Sequence, residues 1–112
     1  MEASSYSDGN GNTWQIEGLK VTYHPVTTIE SSSGIYDGGD PLSIEISEED
    51  LTRLLEMFDA GFRNRTFRLE KRALGSGQIS KTIDGEQKVT VILAMRSPDK
   101  LNIEAFFDAL KP

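Results

Sequence analysis

The sequence predicts a small α+β protein in which an antiparallel sheet of about five strands carries two helices packed on one face. Two periodicities support this fold class. Several short runs alternate apolar and polar residues, as half-buried strands do, whereas two longer runs repeat apolar residues every three or four positions, as amphipathic helices do. The 112 residues are enough for one hydrophobic core. The predicted element order, β-loop-β-α-β-β-β-α, suggests a meander sheet.

The chain is expected to divide into a flexible N-terminal tail, residues 1–12, and a single α+β domain, residues 13–112. The tail reads MEASSYSDGNGN and offers almost nothing to bury. A bent strand over residues 13–23 is predicted next. Its apolar residues change phase near Glu17-Gly18, which places a bulge or bend there, and Pro25 ends it because proline cannot donate to a ladder.

A long loop is predicted at residues 27–40, TTIESSSGIYDGGD. Loops of more than about 12 residues without internal structure are uncommon in compact domains and tend to be functional or disordered. Its apolar residues Ile35 and Tyr36 argue against full disorder. After the loop, Leu42, Ile44 and Ile46 alternate with polar residues, which predicts a short strand running directly into a helix.

The helix predicted from Ser47 to Gly61 is the clearest element of the chain. Ser47 is placed as N-cap, and three acidic residues follow it at the positive end of the helix dipole. Gly61 is the expected C′ residue because glycine adopts positive φ readily. The apolar stripe that should face the sheet consists of Leu51, Leu54, Leu55, Phe58 and Phe62.

The second half of the chain predicts three strands and a closing helix. Phe67 and Leu69 alternate with charged residues, and a turn at residues 75–77 leads into a returning strand. Asp84-Gly85 is a hairpin signal, and a strand with apolar residues on both faces follows. Ser97 as N-cap and Pro98 at the first helical position open the last helix.

Charge and composition restrict the classes of function. The net charge is −6 and cysteine is absent, so thiolate metal sites, disulfides and cysteine nucleophiles are excluded. Neither a signal peptide nor an apolar run long enough for a membrane span is visible, which predicts a cytoplasmic chain without membrane contact; the alternative is a mature secreted chain whose leader has been removed. The one basic cluster consists of Arg63, Arg65, Arg68, Lys71 and Arg72. Its first three members, Arg63, Arg65 and Arg68, are candidate nucleic-acid contacts, but an acidic protein favours a solvated, edge-protecting strand and no nucleic-acid partner.

Metal or enzyme chemistry has two candidate locations. His24 lies near Asp37 and Asp40 in sequence, so a metal site, for calcium, or an enzymatic site around these residues is one alternative; the same residue types also build turns. Residues 8–12 imitate the opening of a calcium loop, but Thr13 and Leu19 stand where that motif needs Gly and Glu, which favours a turn. No cofactor is predicted.

Part of the sequence resembles a known family. The run GIYDGGDPLSIEISEEDLTRLLEMFDAGF, the hairpin KTIDGEQKVTVIL and the closing SPDKLNIEAFFDAL are similar in layout to the emfourin family of small bacterial metalloprotease inhibitors. The resemblance covers residues 34–110 in order and spacing and implies a protease inhibitor. The chain departs from the family around Arg68 to Ile79 and in the long loop, so no inhibitory residues are carried over.

Taken together, the sequence predicts a non-enzymatic protein-binding module, in the form of a protease inhibitor or regulator, that acts through the 27–40 loop. A small-residue acidic loop with apolar anchors on a compact sheet is typical of a binding segment. The alternative is a structural or assembly subunit, including a homo-oligomer that pairs through a strand edge. The candidate partner-binding residues are Glu30, Ser32, Ile35, Tyr36 and Asp37.

Overall fold

The structure, a computed structural model, describes residues 3–9, 11–25, 41–83 and 87–110. These residues form seven strands and two helices. The elements, in chain order, are β1 Ala3–Ser7, β2 Thr13–Glu17, β3 Lys20–His24, β4 Leu42–Glu45, α1 Glu48–Arg63, β5 Arg68–Leu69, β6 Gly77–Ile83, β7 Gln87–Leu93 and α2 Pro98–Leu110.

All seven strands belong to one antiparallel sheet in the order β4-β3-β2-β1-β6-β7-β5. The predicted α+β class is therefore confirmed, with more strands than the five expected. The predicted bent strand at residues 13–23 is in fact two strands, β2 and β3, because Gly18 takes a φ of 59° and reverses the chain. The hairpin of β6 and β7 is confirmed by their pairing, while its turn, residues 84–86, lies outside the described residues.

The prediction of a flexible tail at residues 1–12 is wrong for the part that the structure describes. Residues 3–7 form β1, which pairs with β2 on one side and β6 on the other. Tyr6 is only 1% exposed, so this segment contributes one large side chain to the core although its composition is mostly small and polar. The serines around it are compatible with a central strand because one face of this sheet carries polar side chains.

The sheet has two different faces. The core face carries the buried residues Tyr6, Trp14, Ile16, Val21, Tyr23, Ile79, Val91 and Leu93. Because side chains alternate along each strand, the opposite face, here called the open face, carries mostly Ser, Thr, Gln and charged residues. In its middle row, Ser43, Thr22, Gln15, Ser5, Ser80 and Thr90 lie side by side across six strands.

Helix α1 follows the predicted pattern at its start and differs at its end. The Ser47 hydroxyl accepts a hydrogen bond from the Asp50 N–H at 3.1 Å, as an N-cap does. Leu54 and Phe58 are buried, while Leu55 is 40% exposed. Gly61 lies inside the helix, and a Cβ there would come within 2.8 Å of Ile79 Cδ1. Glycine is thus needed for close approach to β6, not for a C-terminal cap.

Helix α2 brings an aromatic cluster onto the sheet. The Ser97 hydroxyl accepts from the Lys100 N–H at 3.3 Å, which confirms the predicted N-cap. The Phe107 ring stacks on the Trp14 ring with centroids 4.6 Å apart and 7° between the planes. On the adjacent strand β3, the Tyr23 ring lies 4.4 Å from the Trp14 ring. Aromatic pairs stabilise a fold beyond the free energy of the apolar area that they bury. The Phe107–Trp14 pair therefore helps to hold α2 on the sheet.

Candidate binding surface at the loop end of the sheet

One end of the sheet collects most of the long connections. Ser7 at the end of β1 lies opposite Thr13 and Gln78, and Thr13 lies opposite His24. Since Gly77 also pairs with Leu93, the turn at residues 8–12, the connection from β5 to β6 and the connection from β7 to α2 all meet here. Pro25 and Pro41, which flank residues 26–40, lie at this same end of the sheet, because β3 ends at His24 and β4 begins at Leu42 here. We call this region the loop end.

A tight turn at Ala73–Ser76 is the most strongly fixed part of the loop end. The Ser76 N–H donates to the Ala73 carbonyl at 3.0 Å. Gly75 has φ 73°, the positive value that a type II turn requires at its third residue. The Ser76 hydroxyl accepts from the Ala73 N–H at 3.1 Å, and Ser76 is completely buried. The turn therefore holds its shape by its own hydrogen bonds.

Arg72 connects this turn to the turn at residues 8–12. Its guanidinium donates to the Ser76 carbonyl at 3.0 Å and to the Asp8 carbonyl at 2.6 Å. The two backbones are also in direct contact, because a Cβ on Gly9 would lie 2.9 Å from Gly75 Cα. Two short segments far apart in sequence are thus packed into one rigid unit.

The tip of this unit presents apolar side chains to solvent. Leu74 is 97% exposed and Met95 is 53% exposed. Met95 packs against the residue that follows Leu74, because a Cβ on Gly75 would come within 2.6 Å of the Met95 sulfur. Exposed cationic residues adjoin them in sequence: Lys71 and Arg72 precede Leu74, and Arg96 follows Met95. A leucine and a methionine are thus exposed to solvent at a turn that is fixed by hydrogen bonds.

Asp8 and Asn12 are joined by hydrogen bonds across the turn between β1 and β2. The Asp8 carboxylate accepts from the Asn12 N–H at 3.0 Å and from the Asn12 side-chain amide at 2.9 Å. Backbone hydrogen bonds from Asp8 to Asn12 and from Gly11 to Asp8 confirm the predicted turn. Among the residues described, no three His, Cys, Asp or Glu side chains are grouped so that they could hold a metal ion.

A buried polar network lies directly behind the loop end. The Tyr6 hydroxyl donates to Glu104 Oε2 at 2.5 Å, and Lys100 Nζ donates to Glu104 Oε1 at 2.9 Å. The side chains of Lys100 and Glu104 are 7% and 28% exposed. Because the lysine and the glutamate are one helical turn apart, α2 presents a bound carboxylate to the single buried phenol of β1.

The chemistry of this network is structural. Burial raises the pKa of Tyr6 above its ordinary value of 10.0, and the hydrogen bond to Glu104 raises it further. A phenol that keeps its proton is a hydrogen-bond donor and neither a base nor a nucleophile. The network thus ties α2 to β1, and through β1 it supports the turn that carries Asp8.

The residues predicted for partner or metal binding fall into two groups. Glu30, Ser32, Ile35, Tyr36, Asp37 and Asp40 lie outside the described residues. His24 is described and is exposed at the end of β3, opposite Thr13 on the open face. Among the described residues no group of metal-ligating side chains includes it, and the predicted site that combines it with Asp37 and Asp40 stays a prediction.

The predicted arginine cluster does not form one surface. Arg63 is exposed and pairs with Asp59 at 3.4 Å, and Arg65 is exposed. Arg68 turns inward on the core face, opposite Leu93, and donates to the Phe62 carbonyl. Its Nε is buried without a hydrogen-bond partner. Arg63 and Arg65 thus face solvent, whereas Arg68 is bonded to the backbone inside the protein. A groove that follows a phosphate backbone needs its cations on one accessible surface.

A groove of about 500 Å³ runs between α1 and the core face beside β1 and β6. Lys81 lies in it, with its ammonium 4.7 Å from the centre of the Phe62 ring. The Lys81 ammonium therefore makes a cation–π contact with Phe62. The groove also contains carboxylates, Glu56 and Asp59, but among its described lining residues no serine or threonine is paired with a histidine base.

Comparison with protein-family models and with curated protein sequences finds no match for this chain. The emfourin-like layout therefore stays a prediction. Within the described residues, neither helix is long and apolar enough to cross a membrane.

Sequence reasoning missed the central features of the loop end. It recognised the turn at residues 75–77 but not the exposure of Leu74. A leucine between Ala73 and Gly75, with basic residues before it, was the available signal, because such a residue has no periodic partner in a strand or helix. Tyr6 was missed because its neighbours are all small and polar.

Proposed function

We propose that this protein is a small non-enzymatic binding module for another protein, and that it contacts its partner through the loop end. The observation that carries this proposal is Leu74, 97% exposed at the tip of a turn held by three hydrogen bonds. The inhibitor or regulator role implied by the emfourin resemblance is the specific form of the proposal that we would test first.

The physical argument rests on preorganisation. Ordering a flexible loop on binding reduces affinity, so a turn already fixed by Arg72, Gly75 and Ser76 offers its apolar side chain at little entropic cost. Met95 extends the apolar area, and exposed arginine is a residue type enriched at interfaces. Pro25 and Pro41, which flank residues 26–40, lie at the same end of the sheet as this turn, and the segment between them, outside the described residues, is the second candidate contact.

Electrostatics indicate the character of the partner. The chain carries a net charge of −6, yet the exposed charged residues nearest to Leu74 and Met95 in sequence are three cations, Lys71, Arg72 and Arg96, and one carboxylate, Glu70. Complementary charge speeds association and selects partners. We therefore expect an acidic border around an apolar recess on the partner, and binding that weakens as salt concentration rises.

The proposal is tested with a panel of purified proteases that includes thermolysin-type zinc metalloproteases and serine proteases. The full chain should inhibit at least one of them. Leu74→Asp should weaken inhibition by about tenfold or more, since losing one buried apolar anchor costs about 1.5 to 3 kcal/mol. Ile35→Ala combined with Tyr36→Ala tests the loop.

Leu19→Asp is the matched control. Leu19 is also a turn leucine, 39% exposed, but it lies at the opposite end of the sheet, so its change should leave inhibition unaltered. If no protease is inhibited, the inhibitor form is wrong. Chemical cross-linking to cell extract then tests the binding module itself: a partner joined equally well by the wild type and by Leu74→Asp would refute the loop end as the contact surface.

A further inference from the structure

The strand β4, Leu42–Glu45, closes one side of the sheet. In the described part of the chain it pairs only with β3. A strand in this position has one row of backbone N–H and C=O groups directed away from the sheet, which is a template for a further strand. The opposite side ends in β5, which has only two residues.

The hydrogen-bond pattern shows which groups of β4 face outward. The Ile46 N–H donates to the Leu19 carbonyl at 2.8 Å, and these residues lie directly opposite because Lys20 is opposite Glu45. Bonded and non-bonded pairs alternate along an antiparallel ladder. Ile44 and Leu42 therefore bond to β3, whereas the N–H and C=O of Ser43 and Glu45 point away from the sheet.

We propose that this edge pairs with the same edge of a second copy of the chain, antiparallel, with the two Ile44 residues opposite each other on the two-fold axis. In this register Ser43 of each copy lies opposite Glu45 of the other. The outward N–H and C=O groups of both residues then find partners, which gives four backbone hydrogen bonds across the axis.

Side chains and charges agree with this register. Ser43 and Glu45 project to the open face of both copies, and Leu42 and Ile44 project to the core face of both. The Ile44 pair takes the non-hydrogen-bonded position, where side chains are closest, so two half-exposed isoleucines cover each other. Glu45 lies opposite an uncharged serine, so no like charges are directly opposed.

The extent of the edge determines how strong the pairing is. Stable interfaces bury about 1,200 to 2,000 Å² in total, and four residues of strand on each copy provide less than that. The association is therefore weak and reversible, and it depends on chain concentration. It uses a surface separate from the Leu74 turn, so it stands or falls independently of the proposed protein-binding function.

The test is sedimentation equilibrium of the full chain over a wide concentration range, with backbone amide NMR on the same samples. Ser43→Pro removes an N–H that points outward and leaves the β3 ladder intact, because edge positions of this kind tolerate proline. Ser43→Thr keeps the N–H and is the matched control. The wild type and Ser43→Thr should approach the dimer mass as concentration rises, and Ser43→Pro should associate at least tenfold more weakly.

Two results overturn the inference. The first is a wild type that stays monomeric at every concentration. This includes the case in which the Ser43 and Glu45 amides are protected from hydrogen exchange in the monomer, because another segment of the same chain then covers the edge. The second is unchanged association in a folded Ser43→Pro. Should that variant fail to fold, the wild type decides: concentration-dependent shifts must centre on Ser43, Ile44 and Glu45, and shifts elsewhere refute the edge.

Discussion

The hydrogen bond between Tyr6 and Glu104 allows a prediction with a defined magnitude. Tyr6→Phe removes one hydroxyl from a residue that is 1% exposed and leaves Glu104 Oε2 without its 2.5 Å donor. Hydrogen bonds to charged groups contribute about 1.5 to 3 kcal/mol. Because the Glu104 side chain is 28% exposed and keeps its Lys100 partner, water replaces part of the loss, so we expect a cost of about 1.5 to 2 kcal/mol.

Urea unfolding followed by circular dichroism measures this cost. With a typical slope for a small protein, about 2 kcal/mol per molar urea, the midpoint should fall by nearly 1 M. Ser7→Ala is the control on the same strand. It removes a hydroxyl that shares a 3.0 Å hydrogen bond with Thr13, a neutral and partly exposed pair, so its cost should stay below about 1 kcal/mol.

A double-mutant cycle with Glu104→Gln identifies the cause of the effect. If the hydroxyl acts through the carboxylate, the two changes should be coupled by about 1 kcal/mol. The reasoning is refuted if Tyr6→Phe costs less than about 0.5 kcal/mol, or if the two costs simply add, since contacting partners in one network should not be independent.

Three further predictions follow from named contacts. The folded-state pKa of Tyr6 is raised above the unfolded value of 10.0, so the stabilisation that the protonated phenol gives the folded state is complete below pH 10 and is lost as the pH rises above it. In urea titrations at alkaline pH, the free energy of unfolding of the wild type should therefore fall more steeply than that of Tyr6→Phe. Ser47→Ala removes the N-cap of α1 and should cost about 1 kcal/mol in urea unfolding, while Ser47→Asp should retain most of it. Gly75→Ala should lower the thermal midpoint by several degrees, because φ is positive and the Cβ meets Met95; an unchanged midpoint would contradict the proposed turn geometry.

Local sequence signals determined the elements whose causes lie within a few residues. Ser47 and the acidic residues after it define the start of α1, because capping uses a side chain and N–H groups three positions apart. Ser97 and Pro98 do the same for α2. The alternation in Leu42–Glu45 and in β7 predicted strands, since the pleat has a period of two.

Only the tertiary structure decided features that depend on contacts across the chain. Tyr6 is surrounded by serines in sequence, and its burial follows from strands on both sides and from Glu104 on α2. Gly61 looks like a helix terminator, but the close approach of Ile79 explains it. Met95 lies beside the turn that carries Leu74 because Gly75 packs against it, a proximity that no local pattern encodes.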